Sequence, residues 1–138
     1  MVEYYASLWG CWLVMVTIII QAFVGNISKA RLGNSVPGKI DHSLGHESFV
    51  FRSYRTLQNS LENLPLFIGS ALLALITGVD PVALALSIWV YALARIGHMV
   101  MYYLISTDKN PSPRSYFYLI AVFANISILV LIAIALLA

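Results

Sequence analysis

Phe51-Arg52-Ser53-Tyr54-Arg55-Thr56-Leu57-Gln58-Asn59-Ser60-Leu61-Glu62-Asn63-Leu64-Pro65 runs into an apolar stretch, Leu64 to Val79, where Gly69, Ser70, Thr77 and Gly78 are the breaks after Pro65. Arg52, Arg55, Asn59 and Glu62 are separated by three, four and three residues. On a helix those steps put all four side chains on one face. At the mouth of a membrane-length helix such groups are costly unless they meet partners. Interfacial snorkelling accounts for Arg52 and extends to Arg55. It accounts poorly for Asn59 and Glu62, which are neither long nor cationic and lie close to the hydrocarbon. The pattern favours a functional polar site over an interfacial anchor.

The chain around this stretch has 138 residues, 60% of them hydrophobic and only 10% charged. A soluble domain carries about 25% charged residues. That deficit, with a mean hydropathy of +0.84, points to an integral membrane protein with a single bundle. A net charge of +2 with no basic cluster gives no basis for a nucleic-acid partner. The single cysteine, Cys11, excludes an intrachain disulfide. The first apolar run lacks a basic leader, carries Glu3 before it and is long enough to span, so it reads as a retained helix.

Four helices are expected, over about 4–32, 46–77, 81–106 and 113–137. The second would be on the order of 45 Å long, so its first turns should project beyond the ~30 Å hydrocarbon layer. Asp80-Pro81 provides an N-cap and a first-turn proline for the third helix, and Pro113 opens the fourth. All eight basic residues fall at one end of such a bundle: Lys29, Arg31, Lys39, Arg52, Arg55, Arg95, Lys109 and Arg114. The positive-inside rule then puts the first and third loops in the cytoplasm and both termini outside.

Two further polar groups lie at the same depth. Arg95, His98 and Tyr102 share a face of the third helix. Arg95 would sit within the cytoplasmic leaflet, where it needs a partner. An ion pair with Glu62 and a ligand role are both open, and they are compatible. His98 reads either as a satisfied buried histidine or as part of the site. Arg114 and Tyr118 share a face of the fourth helix, with Ser115 beside them; interfacial anchoring and an aromatic belt are the alternatives. A pocket with this many cations, one carboxylate, an amide, an imidazole and hydroxyls fits a hydrophilic anionic ligand, and it opens onto lipid, from which an apolar second ligand can enter. His42 and His46 lack a third clustered ligand, so they read as loop residues in solvent and no metal site is expected.

The run Arg52-x-x-Arg55-x-x-x-Asn59-x-x-Glu62 followed by Pro65 resembles the signature of the MAPEG family, the membrane-associated proteins in eicosanoid and glutathione metabolism. Arg95-x-x-His98-x-x-x-Tyr102 and Pro113-Arg114-Ser115-x-x-Tyr118 resemble the third- and fourth-helix motifs of its microsomal prostaglandin E synthase branch, close to the microsomal glutathione transferases. The chain looks like a bacterial member, which implies an inner or plasma membrane. The resemblance implies a homotrimer of four-helix subunits, with glutathione as co-substrate bound between neighbours near the cytoplasmic face. Arg31, Arg55, Asn59, Glu62, Arg95, His98, Ser115 and Tyr118 are implied to hold glutathione. Arg114 is implied to stabilise its thiolate, with Tyr102 as the alternative thiol hydrogen-bond donor. A glutathione-dependent transferase or peroxidase acting on lipophilic electrophiles is the activity implied; a non-catalytic lipid-binding or scaffold member is the alternative. Gln58 departs from the prostaglandin synthase branch, which has Arg there. A channel or transporter subunit would need polar groups at both ends of the bundle, and the outer half here is apolar.

Overall fold

A computed structural model describes residues 2–33, 36, 39–41 and 43–137. Among them the fold is all-helical: a short 3-10 turn, Val2–Tyr4, then α1 (Tyr5–Ala30), α2 (Phe49–Ile76), α3 (Pro81–Leu104) and α4 (Pro113–Leu137). All four α-helices are long and apolar enough to cross a membrane. With the family assignment given below, they make this an integral membrane protein. Asp80 starts α3 by accepting a hydrogen bond from the Ala83 N–H at 2.8 Å, with Pro81 in the first turn. Gly78 makes the preceding turn at φ +70, a backbone conformation that a Cβ would strain.

α1 is inverted relative to a helix of a soluble protein. Ser7, Gly10, Val14, Thr17, Gln21 and Ser28 of α1 face inward, while Trp9, Trp12, Ile19, Ile20, Phe23 and Ile27 face out. In lipid, apolar side chains gain nothing by leaving the bilayer for the interior, so helices associate through close fit and interhelical hydrogen bonds. Gly10 permits that approach: a Cβ there would lie 2.5 Å from Ile88 Cγ2. Ser70 donates to Asn125 Oδ1 at 2.8 Å and Ser127 to Ser87 at 2.9 Å, while Ser28 and Ser53 meet at 2.9 Å. Phe67 stacks on Tyr91 with centroids 3.9 Å apart, among Leu84, Ile88, Ile128 and Ile132.

α3 packs most extensively on α4, while α1 rests on α2 and α3. At the end holding the α2–α3 turn, Tyr4 donates to the Val79 carbonyl at 2.8 Å and Trp89 to the Ala6 carbonyl at 3.0 Å. At the other end α2 begins at Phe49, three residues later than expected. Gly45–Ser48 closes a turn first: the Ser48 N–H reaches Gly45 O at 3.0 Å, and Glu47 Oε1 takes the Gly45 N–H at 3.0 Å. His46 therefore sits in a turn beneath the helix.

Candidate functional site

The long stripe on α2 does not stay in one environment. Ser53, Thr56 and Ser60 mark its buried side. Arg52 lies at the inner edge, Asn59 is half-buried, and Arg55 and Glu62 face outward. The expected snorkelling of Arg52 is corrected: it is 9% exposed and ties backbone together. Its Nη1 donates to the carbonyls of His46 at 2.6 Å and Glu47 at 2.9 Å, and its Nη2 reaches Tyr103 O at 3.5 Å. Arg52 thus clamps the turn before α2 to the end of α3. Carbonyl oxygens in place of headgroups meet its Nη1 and Nη2, while its buried Nε has no partner among the described residues.

On α3 the spacing of three and four holds as a physical stripe: Arg95, His98 and Tyr102 are all buried. Arg95 Nη2 donates to Ser60 Oγ at 2.9 Å. Among the described residues it makes no ion pair with Glu62, which points away from it on the outer side of α2. His98 packs edge-on against Tyr102 with centroids 5.5 Å apart. Tyr118 lies within electrostatic range of Arg95 and Tyr91.

Arg114 reaches back from the first turn of α4 to cover this stripe. Its guanidinium carbon lies 4.2 Å from the Tyr102 ring centroid, a cation–π contact, and Nη2 donates to Thr107 O at 3.1 Å. Ser115 serves the helix start: its Oγ accepts from the Ser112 N–H at 3.2 Å, and its own N–H donates to Ser112 O at 2.8 Å. This reciprocal bonding satisfies first-turn donors. Arg31 caps α1, exposed, and among the described residues no hydrogen bond or ion pair joins it to the α3–α4 cluster.

The residue that sequence reasoning misplaced is His46. It is not a loop histidine in solvent: its side chain is 23% exposed and central to the cluster. Nε2 lies 3.1 Å from the Tyr102 hydroxyl and 3.2 Å from Arg114 Nη2, and Nδ1 lies 2.5 Å from Asp108 Oδ1. Its ring stacks on Tyr102 with centroids 5.8 Å apart. Asp108 comes from the α3–α4 loop, 62 positions away, so no local spacing announces the pair. His42 lies outside the described residues. No group of three His, Cys, Asp or Glu comes together among the described residues.

Buried polar atoms are normally hydrogen-bonded, and exceptions ask for an explanation. Asn59 Oδ1, Arg95 Nη1, His98 Nδ1 and Arg114 Nη1 are buried without a partner among the described residues. All four belong to the motifs of α2, α3 and α4. They offer guanidinium donors, an imidazole nitrogen and an amide acceptor, a set suited to a small anionic ligand that also carries N–H groups. A search of curated proteins finds no match to the chain. The model of the MAPEG family matches residues 6–134, across all four helices and the cluster, and the chain belongs to the MAPEG family.

Proposed function

We propose that this protein is a glutathione-dependent membrane enzyme that activates a thiol and delivers it to lipophilic electrophiles, conjugating them or reducing peroxides. The observation that carries the reading is that Arg95 Nη1, Arg114 Nη1, His98 Nδ1 and Asn59 Oδ1 are all buried without a partner among the described residues. Glutathione brings two carboxylates, an ammonium, amides and a thiol, which match such a set in kind. Arg95 and Arg55 would take carboxylates, Glu62 the ammonium, and Asn59, His98, Ser115 and Tyr118 the remaining polar groups. Glutathione supplies the sulfur nucleophile.

A free thiol has a pKa near 8.5, so only a few per cent is thiolate at neutral pH. A cation beside the sulfur favours the charged form, and tenfold more thiolate corresponds to about 1.4 kcal/mol. Arg114 suits this role because Nη2 is anchored to Thr107 O while Nη1 is uncommitted. Tyr102 is the second donor; its hydroxyl already faces His46.

The site is completed in a homotrimer. Arg55 and Glu62 face outward, and Arg31 caps α1, a helix that packs on α2 and α3. A neighbouring subunit would bring Arg31 to the α3–α4 cluster and cover the edge of α2. Among the family's branches the motifs resemble those of the microsomal prostaglandin E synthases and glutathione transferases, and we read the chain as a bacterial member of that group. The basic loops would face the cytoplasm and both termini the outside.

Arg114→Ala tests the reading. Turnover of a chromogenic lipophilic electrophile should fall far more than glutathione affinity, measured by calorimetry in detergent. Equal losses in both would make Arg114 a binding residue only. Binding without turnover in the unaltered protein, over a range of electrophiles, would favour the lipid-binding alternative.

A further inference from the structure

Arginine can only donate hydrogen bonds, so the contact between Arg114 Nη2 and His46 Nε2 at 3.2 Å requires a lone pair on Nε2. The ring proton then sits on Nδ1, where Asp108 Oδ1 accepts it at 2.5 Å. A carboxylate on one imidazole nitrogen fixes the tautomer and stabilises the imidazolium when the other nitrogen takes a proton. The basic nitrogen of His46 is aimed at the two groups, Arg114 and Tyr102, that the proposed function sets beside the thiol. Arg52 holds the backbone in place by bonding His46 O at 2.6 Å, and Ser106 Oγ adds a second bond to the same carbonyl at 3.0 Å. That is a positioned base with a positioned backbone, reached from α2, α3 and the α3–α4 loop.

We propose that His46, oriented by Asp108, is the proton acceptor of the site: it takes the thiol proton on Nε2 while Arg114 holds the resulting thiolate. This rests on the glutathione reading above. The S–H bond breaks, its electron pair stays on sulfur, and Nε2–H forms. Asp108 continues to accept Nδ1–H and faces the new imidazolium. Once Nε2 carries the proton it can no longer accept from Arg114 Nη2, so that 3.2 Å contact opens and Arg114 turns to the thiolate. When the thiolate bonds to the electrophile, His46 returns the proton to the anion that forms there, and the neutral imidazole is restored. The groups that face His46 and bear on its protonation are Asp108 and Arg114, with Tyr102 through its hydroxyl; Arg52 meets only its carbonyl.

Proton counting tests this without turnover. Reduced glutathione is titrated into the detergent-solubilised protein at mildly alkaline pH, in two buffers of different ionisation enthalpy, while thiolate absorbance is followed. If His46 keeps the proton, thiolate forms with almost no proton released to buffer. His46→Gln should release about one proton per thiolate and form thiolate only at higher pH. Asp108→Asn alters a side chain that is 85% exposed, which spares the fold should the histidine variant be unstable. It should move proton release toward that of His46→Gln. A full proton released by the unaltered protein, with thiolate formed, overturns the role of His46 and leaves the glutathione reading standing. Retention in Asp108→Asn equal to the unaltered protein overturns the part given to Asp108. Failure of the unaltered protein to bind glutathione overturns both.

Discussion

Two sets of polar residues stand at the same end of the bundle under opposite conditions. The inner set, Arg95, His98 and Tyr102 with Arg114 and His46 against them, is enclosed by α2, α3 and α4, and most of its atoms have protein partners. The outer set, Arg31, Arg55 and Glu62, is exposed and has no side-chain hydrogen bond or ion pair among the described residues. Enclosure explains the inner set at once, because a buried cation must be held and these are, down to a few uncommitted nitrogens. The outer set lacks such an explanation within one subunit. Charges of both signs on the outside of a membrane-length helix call for a cover, and a second copy of the chain is the cover proposed. The comparison teaches that one functional site can be split between groups that a single chain buries and groups it leaves for its neighbour.

Arg114→Ala strikes the inner set hardest. Loss of a donor that stabilises developing charge costs about 10²–10³ in turnover, which steady-state kinetics would register; a change of only a few-fold would remove Arg114 from the chemistry. The outer set should respond in affinity. Arg55→Ala and Glu62→Ala are each expected to weaken glutathione binding by about 10–100-fold, since a hydrogen bond to a charged group contributes about 1.5–3 kcal/mol. Unchanged affinity would detach the outer set from the site. Subunit mixing sharpens the contrast further. If Arg31 of one subunit serves the Arg114 site of the next, co-expressing Arg31→Ala with Arg114→Ala chains should restore activity to about a quarter of the unaltered level, as random assembly gives half the required residues at each of two positions. No restoration would place both residues of a site in one chain.

Smaller effects probe the frame. Gly10→Leu should destabilise the protein by about 1–3 kcal/mol, because Ile88 has no room to retreat from a Cβ; thermal unfolding in detergent would report it. Tyr102→Phe keeps the ring beneath Arg114 but loses the hydroxyl facing His46. About 1 kcal/mol, a few-fold in kcat, is expected.

The helices were legible because their apolar runs are long and their ends carry Asp80-Pro81 and Pro113. The Arg95-His98-Tyr102 stripe was legible too: its seven steps make about two turns, too short for the face to drift. The α2 stripe runs ten steps along an edge, and so begins inside with Arg52 and ends outside with Glu62. Spacing gives a face but not which way it turns, which is why snorkelling for Arg52 and an Arg95–Glu62 ion pair did not materialise. His46 was illegible for another reason. Its partners Asp108, Tyr102 and Arg114 lie 62, 56 and 68 positions away, and the fold alone brings them together.

The most direct test of the central claim, that the uncommitted cationic nitrogens bind glutathione and hold its thiolate, is an ultraviolet titration of the detergent-solubilised protein with reduced glutathione at neutral pH. The account predicts a saturable thiolate absorbance that disappears in Arg114→Ala while calorimetric binding persists. Saturable binding with no thiolate absorbance, or absorbance that survives in Arg114→Ala, would contradict it.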